Sequence, residues 1–205
     1  DASILELREL IVPVEIRELM KSETEKLSKF FNRSVEVPKP SPELIQRFAE
    51  NREYWKANGF ELHYLQEIDM KNEVNNPNWL KKPENLFKFV NENKVSPDSL
   101  KLPHGWTLVD SRQKPAYDNG NQRYPNDALI ETALGGSRFN RTWNFLHTPE
   151  IKQKLADALK IKPEELIPTM PSIAFNVLGN IHYQNWGDTN TWEWFEDSYD
   201  NGRRR

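Results

Sequence analysis

A hydroxyl residue, a proline and an acid follow one another at Ser41-Pro42-Glu43, Ser96-Pro97-Asp98 and Thr148-Pro149-Glu150. Each triplet combines three helix-starting devices. The side-chain oxygen can accept an N–H of the first turn, and proline presets φ at a position whose own N–H would be unpaired. The acid sits near the positive end of the helix dipole. A chain punctuated in this way must fold into short helices that begin at fixed places.

The apolar pattern fills in the rest. Leu19, Leu27, Phe30 and Phe31 share one face of a predicted helix from Glu15 to Phe31. Leu44, Ile45, Phe48 and Trp55 make a stripe on the helix begun at Ser41, and Gly59 ends it. Leu86, Phe87 and Val90 predict a short helix within Pro83–Val95, and another is expected over Asp127–Leu134, closed by Gly135-Gly136. Ile151, Leu155, Ala158 and Leu159 form the apolar face of the helix begun at Thr148. Lys162-Pro163-Glu164 restarts a short turn.

Strand signals are fewer. Pro13 amid Ile11, Val12, Val14 and Ile16 predicts a short extended segment. Phe60, Leu62 and Tyr64 alternate with Glu61 and His63, which favours a strand, and Trp106–Val109 reads as a buried one. Ile173–Leu178 and Thr191–Phe195 are further strand candidates. Ser111 to Asp127 is a long polar stretch with a turn at Asp118-Asn119-Gly120. The expected class is α+β, with a helical N-terminal region over residues 1–75 and a mixed, loop-rich domain over 76–205.

Composition excludes several functions. The 205 residues contain no Cys, which removes disulfides, thiol nucleophiles and thiolate metal sites. No apolar run approaches the roughly 18–20 residues of a membrane helix. The net charge of -3 argues against general nucleic-acid binding. Together with the lack of a leader in the given sequence, these features point to a cytoplasmic protein with neither nucleic acid nor membrane as partner. There is no phosphate loop, no Gly-x-Ser-x-Gly elbow and no His-Glu-x-x-His pair.

Four histidines, His63, His104, His147 and His182, have no metal-ligand spacing and read as ordinary strand or loop residues. Neither metal nor cofactor is expected. The acidic run Asp188, Glu193, Glu196, Asp197 and Asp200 reads as a solvated face, with a glycosidase carboxylate pair or a calcium site as the alternatives, although its spacing does not match an EF-hand loop. The aromatic group Tyr183, Trp186, Trp192, Trp194, Phe195 and Tyr199 is expected to be core, although it could stack sugars or bases. Arg203, Arg204 and Arg205 form a basic tail.

The segment from Asn190 to Tyr199 resembles a motif of the formylglycine-generating-enzyme family, Gly-Asn-x-Trp-Glu-Trp followed by Cys, Asp and an aromatic. Asn190, Trp192, Glu193, Trp194, Asp197 and Tyr199 match, whereas Thr189 replaces the Gly and Phe195 the Cys. The resemblance covers about the second half of the chain and implies a C-type-lectin-like domain over 76–205, incomplete at its C-terminus. The enzymatic branch of that family depends on cysteine, so the resemblance implies no catalytic residue here. It points instead to the variable proteins of diversity-generating retroelements, which display a ligand-binding C-terminal surface. Trp192 and Trp194 would be core anchors. The variable surface would lie after Asp200, with Arg203, Arg204 and Arg205 at its start, and would take a protein or a surface glycan. A carbohydrate-active hydrolase and an interaction scaffold that docks a partner through the charged N-terminal helices are the alternatives.

Overall fold

The computed structural model describes residues 12–124, 127–189 and 193–199. Helix α1, Val14–Phe31, buries Ile16, Glu23, Leu27, Phe30 and Phe31, a stripe at helical spacing. It ends at Asn32, which is left-handed with φ 51°. The extended segment around Pro13 is shorter than its apolar residues suggest, because Val14 and Ile16 already belong to α1.

Helix α2, Pro42–Ala57, is capped as its triplet requires: Ser41 Oγ accepts from Leu44 N at 3.2 Å. Its anchor is Trp55, buried, whose indole N–H donates to Leu159 O at 2.8 Å. Replacing such a side chain with alanine typically costs about 3–5 kcal/mol. Gly59 turns the chain into strand β1, Phe60–Leu65, with φ +79°. A Cβ at Gly59 would lie 2.5 Å from Arg112 Cγ and Cδ, so both conformation and space demand glycine there.

Strand β1 pairs antiparallel with β2, Gly105–Asp110, from Phe60 opposite Asp110 to Leu65 opposite Gly105. Between them lie a 3-10 turn, Met70–Glu73, helix α3, Glu84–Asn91, and a second 3-10 turn, Pro97–Leu100. Then follow α4, Ala128–Ala133, α5, Trp143–Leu146, and α6, Pro149–Leu159, capped by Thr148. A 3-10 turn, Pro163–Glu165, leads to α7, Ser172–Ile181. The class is α+β, with one two-stranded sheet among the described residues.

Helix α7 corrects the strand expected at Ile173–Leu178. A short apolar run has no period that separates a buried strand from a buried helix. Here Ile173, Ala174, Val177 and Leu178 are buried, one face of a helix rather than alternate residues. Glu193, Trp194 and Phe195, the described part of the other C-terminal strand candidate, are irregular.

Two apolar clusters share the hairpin. One joins Leu27, Phe30 and Phe31 of α1 with Leu65, Val109, Leu86, Phe87, Ile173, Val177 and Leu178. The other joins Trp55, Phe60, Ile130, Ile151, Leu155 and Leu159. The first cluster draws on residues from both sides of position 75.

Candidate functional site

Strand β1 departs from simple alternation: His63 is buried along with Leu62, and only Glu61 is exposed. The reason lies across the hairpin's flank. Glu23, on the apolar stripe of α1, has a side chain only 1% exposed, and its Oε1 lies 2.9 Å from His63 Nδ1. The other oxygen, Oε2, accepts from Tyr64 N at 3.1 Å. On its far side His63 Nε2 meets Tyr183 Oη at 2.5 Å, and that hydroxyl donates to Glu61 Oε2 at 2.6 Å. With the Tyr183 hydroxyl donating to Glu61, its oxygen is free to accept from His63 Nε2–H, and the Glu23 carboxylate is placed to accept from Nδ1–H.

The charges follow from these contacts. Burial opposes the ionised form of Glu23, but the pull of His182 and His63 outweighs it and holds the carboxyl at about 2. The bond to His63 chiefly lowers Glu61, also to about 2. Burial disfavours the charged form of His63, yet Glu23 and Glu61 together raise it above the usual imidazole value. Burial lowers His182 and raises the Tyr183 phenol.

His182 follows α7 directly. Its ring stacks on His63 with centroids 3.9 Å apart and 28° between planes. Its Nε2 is 3.5 Å from Glu23 Oε2, near enough for attraction but not aligned as a hydrogen bond, and both ring nitrogens are buried without a hydrogen-bond partner. The structure brings these two histidines together, His63 on β1 and His182 just after α7. Their spacing in sequence hides a contact made by folding. His104 is exposed, and His147 donates to Trp143 O at 2.7 Å while stacking on that indole.

The C-terminal motif sits elsewhere. Glu193 is ion-paired with Lys114, and Trp194 Nε1 donates to Arg141 O at 2.7 Å. Phe195 packs edge-on to Phe175. Glu196 N donates to Met170 O at 3.1 Å. The Asp197 carboxylate accepts from Ser172 N at 2.8 Å, at the start of α7. Tyr199 bridges to Val95 and packs on Phe89. Two expectations change. Trp194 is 43% exposed and is no core anchor, because its side chain spans the surface to a carbonyl rather than entering either cluster. The acidic run is not a uniform solvated face, since Asp197 is buried, while Asp188 pairs with Lys81 at the surface. Tyr183 is buried, and Trp186 stacks on it and on Phe175. Asn190, Trp192, Asp200, Arg203, Arg204 and Arg205 lie outside the described residues.

A third polar cluster holds the long loop after β2. Arg138 Nε and Nη2 both donate to the Asp127 carboxylate at 2.7 Å, and Arg138 Nη1 donates to Asp110 Oδ2 at 2.9 Å. Arg112 Nη2 reaches Asp110 at 2.7 Å and Asp127 at 3.0 Å. The Tyr124 ring lies under both guanidiniums, and burial pushes its phenol up to about 12.

Comparison with protein-family models, curated proteins and solved structures finds no match to this chain.

Proposed function

We propose that this chain is a non-catalytic ligand-binding protein that resembles the retroelement-diversified variable proteins, presenting a C-terminal surface to a protein or glycan. One observation carries the reading. The segment from Glu193 to Tyr199 is fastened by six residues to separate places: Lys114, Arg141, Phe175, Met170, Ser172 and Val95. A strap held this way fixes where the chain beyond it starts. Surface substitutions away from such contacts usually cost within about 0.5 kcal/mol, so presented residues can vary without loss of the fold.

The finer fold, a C-type-lectin-like domain of the formylglycine-generating-enzyme type, belongs to the same proposal. Its support is the motif itself and the bridge from Tyr199 to Val95, which brings the motif against the body of the protein as a strand pair would.

The test reads the encoding locus in independent isolates. Substitutions at adenines should gather in codons after Tyr199, with the codons for Glu193, Trp194 and Asp197 unchanged. Variation after Tyr199 no greater than that of core codons such as Leu27 and Ile173 would defeat the reading.

A further inference from the structure

We propose that Glu23, His63 and His182 form a binding site for a first-row divalent metal ion of the zinc class, with Glu61 as the carboxylate behind His63. Each of the three residues offers one ligand atom, and these atoms lie within 4.8 Å of one another. They come from α1, from β1 and from the residue after α7, so the fold rather than a local motif assembles them.

Two observations support a ligand there. First, His182 is the unusual member. Its side chain is only 3% exposed, and neither ring nitrogen has a hydrogen-bond partner. A buried group left unsatisfied in this way is costly to the fold, and a metal ion satisfies it. Second, the other members already have the outer contacts that metal ligands use. His63 presents Nδ1 to the site while Nε2 is held by Tyr183 and faces Glu61 at 3.4 Å. The Glu23 carboxylate is fixed by Tyr64 N–H.

The donor set selects the class of ion. Two imidazoles and a carboxylate suit zinc and its first-row neighbours, whereas magnesium and calcium prefer oxygen ligands alone. Tetrahedral zinc with bonds of about 2.0–2.1 Å holds its ligand atoms roughly 3.3 Å apart, so the cluster must tighten on the ion. The stack of His182 on His63 must also open. The His182 ring turns without breaking any hydrogen bond, because it makes none.

The experiment uses the full chain stripped by a chelator and titrated with Zn²⁺ by calorimetry, with bound metal counted by elemental analysis. The expected result is one zinc per chain and a melting temperature that rises with free zinc. His182→Leu should weaken binding at least 10-fold and abolish the zinc-dependent rise. No stoichiometric uptake by the wild-type chain overturns the proposal. So does unchanged affinity in His182→Leu, which would place the ion on His104 or His147. Should the variant not fold, imidazole resonances of the wild-type chain decide. Zinc must shift those of His63 and His182 and leave those of His104 and His147 in place, and the reverse pattern refutes the site.

Discussion

Two buried polar clusters flank the same hairpin, and they are built on opposite rules. Around Asp110 and Asp127 the accounts are complete: two carboxylates meet two guanidiniums, and all four groups share hydrogen bonds of 2.7–3.0 Å. Around Glu23 and His63 the bonding is incomplete, because neither buried nitrogen of His182 makes a hydrogen bond. A saturated network of planar, bidentate pairs has little left to offer a ligand and serves to pin the loop of residues 111–124 to β2 and α4. An unsaturated one carries a cost in the free protein that a ligand can remove. Both lie near β1 and β2, so location does not explain the contrast, whereas donor and acceptor counts do.

The sharpest way to break the comparison is Asp127→Ala. It leaves Arg112 and Arg138 with one carboxylate between them, and an uncompensated buried charge of this kind costs about 3–5 kcal/mol. Chemical denaturation measures it, and a loss below about 1 kcal/mol would mean that the network is solvated and ordinary. Glu23→Gln comes next. It removes the ionised acceptor from His63 and Tyr64 N–H, with an expected loss of about 1.5–3 kcal/mol by the same measurement. His182→Leu should be the mildest of the three, within about 1 kcal/mol of wild type in metal-free protein, because no hydrogen bond is lost and an orphaned polar group leaves the interior. A loss as large as that of Asp127→Ala would erase the distinction between the clusters.

Acid completes the series. Burial opposes ionisation of Asp110, but Arg112 and Arg138 outweigh it and hold the carboxyl below its ordinary value of 3.8. The unfolded carboxyl therefore takes up its proton at higher pH than the folded one. The stability from this pairing is complete above about pH 4 and is lost as pH falls through the folded value. Thermal melts between pH 6 and 2.5 should show a shallower acid loss in Asp110→Asn than in wild type, and equal slopes would count against the pairing.

Much of the fold was readable residue by residue. Ser41, Ser96 and Thr148 cap where their triplets say they should, each side-chain oxygen accepting from a first-turn N–H. Phe60–Leu65 and the Trp106 strand are in place, and they pair with each other. The failures have physical causes. Ile173–Leu178 reads as a strand because an apolar run has no polar face to mark its period, and only its packing against α1 and α3 residues makes it a helix. Trp194 reads as core because tryptophan usually is, yet its indole N–H finds Arg141 O at the surface.

The buried site was legible at one point only. Glu23 stands seven residues after Ile16 and four before Leu27, an acid on an otherwise apolar stripe, and such an acid needs a partner. Nothing local says that the partner is His63, 40 residues away, or that His182 closes over it.

The sequence by itself determined the helix starts, the places where glycine must turn the chain, and the apolar faces, because these depend on backbone sterics and on neighbours within one or two turns. Only the tertiary structure decided which polar groups meet. That choice depends on pairing β1 with β2 and on laying α1 and α7 beside them, which brings side chains together across 40 to 120 residues of chain. Electrostatics acts over a few ångströms of space and is indifferent to distance along the chain.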